Sequence, residues 1–527
     1  MNTTTDESAV DLDDTNTIGN LLHRGVLRNP SATALSFEDR SWTYQQLLVA
    51  VDQVAAKLQE LELPAGSRVA AFAANSDIYA ILFLACAKAG LIHVPVNFAL
   101  KGEELRYILQ DSGASLVITD EPRHQLVQDL IERHELPEVH DIWQFFSTAS
   151  SVQSVFDIAM GQENYQPFAD IGLVSADLVQ LLYTSGTTSA PKGAMMTHGA
   201  LIAQYVSAII ALDLETEDRP LIAMPLYHSA AMHVFLLPYL ALGASIRLLA
   251  KPDIAEIIQR VEDERIGSLF LAPTVWVPLS NHPDLPSRDL SSLTKAQYGA
   301  SIMPVTVLSR LRERYPNIGF YNCFGQSELG PLCSVLRPEE HDARPASCGR
   351  PVFFVEARVI NSAGQIAEDG EPGEIQYRSP QVMRGYWNKP EQTKEAFVDG
   401  WFRSGDQVVK DPEGYIQVVD RIKDVINTGG ILVAPREVED CIYELPEVAE
   451  VAVVGVADER WIEAITAIIV LKDGAVLSAQ GIQDHVKQKL ANYKVPKRVD
   501  FVAQLPRNQS GKLLKRQLRA ERSSREE

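Results

Sequence analysis

Residues 68–96 read RVAAFAANSDIYAILFLACAKAGLIHVPV, and this stretch decides the fold class. The apolar run Arg68–Ala74 predicts a strand, Ile78–Ala89 predicts a buried helix, and His93–Val96 predicts a second strand. A strand, a crossover helix and another strand predict a parallel sheet with helices packed on its faces.

The same alternation of strand and helix patterns recurs along the chain, and we expect each of the later strands to be followed by a helical stretch. These predicted strands are Leu116–Thr119, Leu178–Tyr183, Leu221–Met224, Ser245–Leu249 and Ser268–Ala272. Upstream, a short strand pair is expected around Ala34–Phe37 and Ser41–Trp42, and Thr43-Tyr-Gln-Gln46 has the pattern of a capping box that opens a helix. The fold class is therefore α/β, with mostly parallel sheets.

The character of the sequence changes after about Pro351. Strand-like segments then alternate with Gly/Pro turns, which predicts a β-rich subdomain at about residues 351–422. A new series of predicted helices and strands, with an α+β pattern, begins after Lys423. We therefore predict a large N-terminal domain over residues 1–422 and a small, mobile α+β C-terminal domain over residues 423–527.

Composition and charge exclude several classes of protein. The 527 residues carry a formal charge of −21, which disfavours phosphate-backbone contacts and therefore nucleic acid as a partner. Five scattered cysteines without CxxC spacing argue against a disulfide framework or a zinc site and suit a reducing compartment. The acidic N-terminus is no signal or transit peptide, and the most apolar stretch, 78–96, is interrupted by Lys88 and His93, so no membrane span is expected. The expected location is the cytoplasm, and a homodimer is compatible with the sequence.

A loop rich in small hydroxyl residues and glycine, YTSGTTSAPKG at 183–193, follows the predicted strand Leu178–Tyr183. Such a loop can wrap phosphate oxygens with backbone N–H groups, and Lys192 adds a cation. The spacing is not that of a Walker A loop, because no G-x-x-x-x-G-K-[ST] pattern fits and Pro191 precedes the lysine. Taken alone, the loop could also be an ordinary polar strand-to-helix connection.

Three further polar motifs lie downstream, YNCFGQSE at 321–328, GWFRSGD at 400–406 and PRNQSGK at 506–512. Each motif ends on a charged residue that, taken alone, could also have a purely structural or solvated role. Glu328 could be a solvated glutamate after a turn, Asp406 could cap a turn after Gly405, and Lys512 could be a solvated lysine in a basic tail.

Together these motifs closely resemble those of the acyl-CoA synthetase, adenylation-domain and firefly-luciferase superfamily of adenylate-forming enzymes, most like a fatty-acyl-CoA synthetase. The resemblance covers roughly residues 17–518 in the order that the family requires. It implies ATP, Mg²⁺ and coenzyme A as cofactors and two half-reactions, adenylation of a carboxylic acid and then thioester formation.

The resemblance also implies roles for individual residues. Catalysis is expected to depend on Lys512, Glu328, Lys192 and His228, with Thr184 and Glu328 holding the metal. The nucleotide and CoA are expected to contact Thr184, Ser185, Gly186, Thr187, Thr188, Lys192, Gly299, Ala300, Ser301, Asn322, Cys323, Phe324, Gly325, Ser327, Asp406, Arg421, Gly429, Gly430 and Lys512. Within this set, Phe324 would stack on adenine, Asp406 would accept both ribose hydroxyls, and Lys512 would bridge the carboxylate and the α-phosphate.

The segment MPLYHSAAMHV at 224–234 is expected to line the acid site. Amino-acid-activating relatives place an Asp where this chain has His228, and a buried ammonium group without a carboxylate is costly, so amino acids are disfavoured. His228 resembles a gating residue, although it could equally be a packed histidine with both nitrogens satisfied. Met232, Phe235, Trp276 and Ile302 suggest an apolar pocket for a fatty or other hydrophobic acid, or else ordinary core.

Free CoA is the expected acceptor, because a C-terminal domain is present and no carrier domain follows residue 527. Trp461 lies where family members offer an aromatic surface to the CoA nucleotide, and Ile462 replaces a frequent glycine. The alternative within the family is transfer to a carrier protein or another acceptor. Outside it, a kinase would release ADP, and a non-catalytic adenylate binder would lack Lys512 or Glu328.

Overall fold

The α/β class predicted from the sequence is confirmed. The computed structural model describes residues 16–147, 152–161, 168–184, 190–301, 303, 305–421, 424–428, 431–458, 460–507 and 513–523, with only the backbone given for Thr306, Arg421 and Leu432. The strands are β1 Thr33–Phe37, β2 Arg40–Thr43, β3 Arg68–Phe72, β4 Ile92–Pro95, β5 Ala114–Thr119, β6 Asp141–Gln144, β7 Leu178–Thr184, β8 Lys192–Thr197, β9 Pro220–Ile222, β10 Ile246–Leu248, β11 Ser268–Leu271, β12 Lys295–Gly299, β13 Gly319–Gly325, β14 Leu332–Leu336, β15 Arg350–Pro351, β16 Glu356–Ile360, β17 Gly373–Arg378, β18 Phe397–Val398, β19 Trp401–Lys410, β20 Ile416–Arg421, β21 Ile426–Thr428, β22 Ile431–Val433, β23 Val448–Asp458, β24 Ile462–Leu471 and β25 Arg498–Phe501.

The helices lie between and around these strands. They are α1 Gly19–Arg28, α2 Tyr44–Gln59, α3 Asp77–Ala89, α4 Gly102–Ser112, α5 Glu121–Glu132, α6 Val155–Met160, α7 His198–Ala211, α8 Leu237–Leu242, α9 Ile254–Asp263, α10 Pro273–Ser280, α11 Val305–Arg314, α12 Pro390–Ala396, α13 Pro435–Tyr443, α14 Ala479–Lys489 and α15 Lys515–Ser523. A π-helix, Ala231–Leu236, runs directly into α8. In the described part of the chain, no helix has the length and apolar character needed to cross a bilayer.

Two large sheets share one core. The nine-stranded sheet has the order β15-β14-β13-β12-β11-β9-β10-β1-β2, and the six-stranded sheet has the order β6-β5-β3-β4-β7-β8. Pairing is parallel through the centre of both sheets and antiparallel at β2, β8, β14 and β15. Leu35 and Leu221 of the first sheet and Val69 and Leu116 of the second belong to one buried hydrophobic cluster.

The opening βαβ unit forms as the sequence predicts. The side chain of Ser76 caps α3 by accepting a hydrogen bond from the Tyr79 N–H, and Gly90 ends the helix with a left-handed φ of 69°. β3 and β4 pair in parallel on either side of this helix in sequence. The capping box at Thr43 and Gln46 is also present, with both of its hydrogen bonds formed.

One predicted connection is wrong. We expected a helix after Leu178–Tyr183, but β7 is followed by a strand, β8, and the two form an antiparallel hairpin that pairs Thr184 with Lys192. The other edge of β8 lies against a distant segment, since Met195 N–H donates to Gly385 O at 2.9 Å and Arg384 N–H donates to Met195 O at 2.9 Å. This second pairing, made almost 190 residues away in the chain, stabilises residues 192–197 as a strand.

Two smaller sheets complete the chain. The first joins β16-β17-β19-β18 with β20 paired to β19, and the second joins β22-β21-β24-β23 with β25 paired to β24. The tail after Leu514, which the sequence indicates only as basic, forms helix α15, whose Leu518 is buried against the second of these sheets.

The two faces of the nine-stranded sheet bury different side chains. Phe270 pairs with Gln297 and stacks on Phe235 of the π-helix at 4.5 Å. Gln297 in turn pairs with Tyr321 of β13. Phe320, the residue before Tyr321, faces the other way because successive residues of a strand alternate, and it packs edge-on against Trp276. Trp276 therefore does not share a pocket with Phe235, which corrects the expectation that both line the acid site.

Behind this second face lies a small apolar cavity of about 20 Å³. Aliphatic and aromatic side chains line it, among them Val261 and Leu279 as well as Trp276 and Phe320. The indole N–H of Trp276 is satisfied by the backbone oxygen of Gln297 at 3.0 Å, so the walls of the cavity present no unpaired polar group from this residue. The cavity is a packing defect of the core on the side away from the π-helix.

A chain of buried polar side chains crosses the core beside the π-helix. The Tyr205 hydroxyl contacts His233 Nδ1 at 2.8 Å, His233 Nε2 contacts Gln180 Oε1 at 2.7 Å, and Gln180 Nε2 contacts His93 Nδ1 at 3.1 Å. Burial lowers the pKa of both His93 and His233 to about 3. Both imidazoles are therefore neutral at physiological pH.

We predict that these histidines make the fold sensitive to acid. Burial also lowers the pKa of His198 and of His228 to about 4, against about 6.5 in an unfolded chain. Below pH 6.5 the unfolded chain therefore binds more protons, and the free energy of unfolding should fall with decreasing pH by up to about 1.4 kcal/mol per pH unit for each histidine. Melting temperatures between pH 6.5 and 5 test this. His93→Asn should reduce the dependence of the unfolding free energy on pH by the contribution of about one proton. An unchanged slope in that variant would contradict the linkage.

Candidate active site

The predicted phosphate loop joins β7 to β8 in sequence, and residues of α4 bind the described residues on both sides of it. The Tyr183 hydroxyl donates to Asp111 Oδ2 at 2.8 Å, and the Tyr107 hydroxyl donates to the Pro191 carbonyl at 3.0 Å. Lys389 forms an ion pair with Asp111. Residues on α4 thus fix where the loop starts and where it ends.

The structure brings the two predicted metal ligands together. Thr184 Oγ1 donates to Glu328 Oε1 at 3.3 Å, although the two residues lie 144 positions apart in the chain. Glu328 is only 9% exposed, so the reading of a solvated glutamate after a turn is wrong. A carboxylate and a hydroxyl supply the hard oxygen ligands that Mg²⁺ prefers, and the donor set fits this metal.

Tyr386 lies between this carboxylate and the predicted phosphate-binding lysine. Its hydroxyl donates to Glu328 Oε1 at 3.0 Å, and Lys192 Nζ lies 5.0 Å from the centroid of its ring. The backbone N–H of Met383, in the same segment, donates to Glu328 O at 2.7 Å.

The predicted adenine wall lies at the ends of β12 and β13, which pair Gly299 with Cys323. A Cβ on Gly299 would lie 2.3 Å from the Cys323 carbonyl oxygen, so the close approach requires glycine there. Ala300 follows with φ of 65°, a strained conformation of the kind that clusters at functional sites. Ser301, next in the chain, is half-buried at the same strand end.

The remaining residues of the second motif sit on β13 and just after it. Asn322 Nδ2 donates to the Ser347 carbonyl at 3.0 Å, which orients the amide, and Phe324 is half-buried, paired with Ser334 on β14. Gly325 cannot carry a side chain, since a Cβ would lie 1.8 Å from the Pro331 carbonyl oxygen. Burial raises the pKa of the Cys323 thiol far above its usual value, so this sulfur is not a nucleophile.

Asp406 lies in the middle of a long strand, β19, and not in a turn, so the turn-capping reading is wrong. Its backbone pairs with that of Arg421, the other predicted ribose contact. Only 2% of Asp406 is exposed, and Gln326 Nε2 donates to its Oδ2 and to the Ser404 carbonyl at 3.1 Å. Gln326 thereby ties the predicted ribose carboxylate to the motif that carries Glu328.

The other predicted contacts lie outside the described residues. These are Ser185, Gly186, Thr187, Thr188, Gly429, Gly430 and Lys512, together with the side chain of Arg421. Their roles remain predictions.

The middle of the predicted acid segment contacts the nucleotide motif, since Ser229 Oγ lies 3.0 Å from Ser327 Oγ. The His228 ring lies 4.3 Å from that of Tyr227, and burial lowers its pKa to about 4. His228 Nε2 and the Tyr227 hydroxyl are buried without a hydrogen-bond partner among the described residues, so His228 is not a packed histidine with both nitrogens satisfied.

Sequence reasoning missed three residues that position the predicted ones. Gln326 lies inside the motif at 321–328, so its place in that motif was the available signal. Tyr386 lies in the segment GYWNKPE at 385–391, within the range that the family resemblance covers. Asp111 gave no signal, because only the fold brings α4 to the β7–β8 hairpin.

Comparison with known proteins identifies the family of this chain. Residues 22–387 match the family described as AMP-binding enzyme, and residues 437–512 match the AMP-binding enzyme C-terminal domain. The chain is 36% identical over 496 residues to a feruloyl-CoA synthase of Amycolatopsis sp, covering 94% of this chain and 97% of the relative. It is 33% identical to the medium/long-chain-fatty-acid–CoA ligase FadD8 of Mycobacterium tuberculosis, covering 95% and 89%.

Solved structures of similar architecture are also adenylate-forming enzymes. The anthranilate CoA ligase AuaEII in complex with anthranoyl-AMP superposes with a TM-score of 0.87 at 26% identity, over 96% of this chain and 97% of that one. ATP-bound MatB from Rhodopseudomonas palustris gives a TM-score of 0.88 at 28% identity, over 97% and 100%.

Fold and site together define an enzyme that activates a carboxylate with ATP. The chain belongs to the AMP-binding enzyme family. Within that family it is an acyl-CoA synthetase, an AMP-forming acid–CoA ligase that uses ATP, Mg²⁺ and CoA.

Proposed function

We propose that this ligase activates a hydrophobic monocarboxylic acid, and a compact aryl acid in preference to a long straight chain. The observation that carries this proposal is the aromatic lining of the acid segment. The Tyr227 ring contacts His228 on one side and meets Phe98 edge-on at 5.3 Å on the other. A neutral, aromatic wall favours an apolar planar acid over a charged one.

Two further features support the choice of acid. In the described part of the chain, no Asp or Glu side chain hydrogen-bonds to residues 224–234, so a buried ammonium group would lack a partner there. Behind the wall, Phe235 fills the space between the π-helix and Phe270. This stack would limit how far a long acyl chain could extend.

The residues would share the chemistry as follows. Lys192 and residues 185–188 bind the phosphates, Phe324 and Asp406 hold the adenosine, and Glu328 and Thr184 hold Mg²⁺, which supplies positive charge to the phosphates when bound. A carboxylate oxygen of the acid attacks the α-phosphorus and pyrophosphate leaves. The cation of Lys512 offsets the repulsion between two anions.

Thioester formation would use the C-terminal domain, which we propose spans residues 423–527 and turns about Lys423 to present Gly429 and Gly430 to the thiol. The CoA sulfur then attacks the acyl carbonyl and AMP leaves. Trp461 lies 4.9 Å from both the Arg460 guanidinium and Lys497 Nζ, so an aromatic surface and two cations are available to a phosphorylated nucleotide. Ile462 takes φ of 67°, a conformation that suits the glycine usual there in the family. The five free cysteines support a reducing, cytoplasmic location.

An acid panel tests this proposal. Aryl acids, fatty acids of increasing length and amino acids are incubated with ATP and Mg²⁺, with and without CoA, and the nucleotide and acyl products are identified. We expect AMP and pyrophosphate, CoA-dependent turnover, and the highest kcat/KM with an aryl acid. ADP as the main product, or the highest kcat/KM with an amino acid, would contradict the proposal, and CoA-independent transfer to an amine would favour another acceptor.

A pair of variants locates the acid pocket. Phe235→Ala removes the ring behind the proposed wall and should shift the preference toward longer acids. Trp276→Phe alters an aromatic ring on the opposite face of the sheet and should leave the order of preference unchanged. A shift of equal size in both variants would place the acid elsewhere.

A further inference from the structure

We propose that Tyr386 is a positioning residue of the adenylation site, which holds the metal-binding carboxylate and the phosphate-binding lysine apart and in place. This inference rests on the proposed function, because it takes Glu328 as the Mg²⁺ ligand and Lys192 as a phosphate ligand.

The backbone around Tyr386 is fixed from both sides. Residues 383–387 run along the free edge of β8, where Trp387 N–H donates to Gly193 O at 2.8 Å and Ala194 pairs with Tyr386. The Tyr386 N–H donates to Thr393 Oγ1 at 2.9 Å. A phenol on this segment therefore keeps a constant place relative to the end of the phosphate loop.

The hydroxyl of Tyr386 acts on one oxygen of Glu328. Oε1 accepts hydrogen bonds from Tyr386 at 3.0 Å and from Thr184 at 3.3 Å. No described residue donates a hydrogen bond to Oε2. This second oxygen can therefore face a cation while the hydrogen bonds to Oε1 fix the orientation of the carboxylate. Hydrogen bonds to a metal-binding carboxylate fix its orientation, and their loss typically weakens metal affinity about 10- to 100-fold.

The ring of Tyr386 acts on Lys192. Its face attracts the ammonium group at 5.0 Å from the centroid. In the described part of the chain no carboxylate forms an ion pair with Lys192, although Glu328 accepts a hydrogen bond from the hydroxyl of the same phenol. A direct Lys192–Glu328 pair would neutralise the two charges that ATP and Mg²⁺ need. The phenol keeps them separate, so both stay available.

The test compares two variants that remove different parts of this side chain. Tyr386→Phe removes the hydroxyl and keeps the ring, so we expect the Mg²⁺ concentration for half-maximal adenylation to rise about tenfold or more while the KM for the acid stays the same. Tyr386→Leu removes the ring as well and should also raise the KM for ATP. Trp387 is the next residue on the same segment, and its ring packs against Arg68. The variant Trp387→Phe therefore serves as the matched control.

A binding measurement separates positioning from a general loss of structure. Calorimetric titration with α,β-methylene-ATP, with and without Mg²⁺, should show that Tyr386→Phe loses affinity only when the metal is present. In a Glu328→Gln background the second substitution should have no further effect. Wild-type Mg²⁺ dependence in Tyr386→Phe, together with an altered dependence in Glu328→Gln, would overturn this inference alone. Unchanged dependence in both would overturn the assignment of Glu328 and this inference with it.

Discussion

Replacement of Lys512 by alanine is expected to lower the rate of acyl-AMP formation about 10²- to 10³-fold and to leave the second half-reaction close to wild type. The physical reason is that a carboxylate anion must approach an anionic phosphate, and loss of a positioned cation at developing charge typically has an effect of this size. Thioester formation attacks a neutral acyl carbonyl and has no such requirement. The two steps are followed separately, by ATP–pyrophosphate exchange and by release of AMP from synthetic acyl-AMP and CoA.

The control for this prediction is Lys487→Ala, which removes an exposed lysine from α14 of the same C-terminal region. It should change neither rate. Equal losses of both half-reactions in Lys512→Ala would mean that Lys512 stabilises the structure and does not act on the carboxylate.

Replacement of Asp406 by alanine should have the second large effect, on the use of ATP. Loss of charge-assisted hydrogen bonds to the ribose should cost about 2–4 kcal/mol, or roughly a 30- to 1000-fold drop in kcat/KM for ATP. Asp406→Asn keeps an acceptor but loses the charge, so its kcat/KM for ATP should fall between those of the wild type and of Asp406→Ala. Initial rates at varied ATP and at saturating acid measure both variants.

Asp406 is buried and accepts a hydrogen bond from Gln326, so its removal could also disturb the fold. Melting curves and the KM for the acid distinguish the two cases, because a ribose contact should leave the acid KM unchanged. Glu395→Ala removes an exposed carboxylate from α12, which packs beside β19, and should behave like wild type. A wild-type kcat/KM for ATP in Asp406→Ala would contradict the ribose role.

Local rules predicted the opening of the fold well. The capping box at Thr43 and the βαβ unit at Arg68–Pro95 depend on residues close together in sequence, and both form. The proximity of Thr184 and Glu328 was available only from motif order and family resemblance, because the contact spans 144 residues.

Errors arose where distant partners decide the outcome. Residues 192–197 pair with β7 on one edge and with the segment around Gly385 on the other, and the single sequence shows neither pairing. Trp276 and Phe235 looked like one pocket, but they pack on Phe320 and Phe270, whose side chains lie on opposite faces of the sheet. The anchoring of the loop by Asp111 was invisible for the same reason.

The small cavity beside Trp276 has a consequence for engineering of the enzyme. It lies across the sheet from the Phe235–Phe270 stack, on the face opposite the proposed acid wall. Natural proteins retain such voids because selection maintains stability only above a threshold, and filling a void is a common route to higher thermal tolerance. A library aimed at a hardier catalyst would therefore start at Val261 and Leu279, where added bulk meets empty space away from the proposed acid wall.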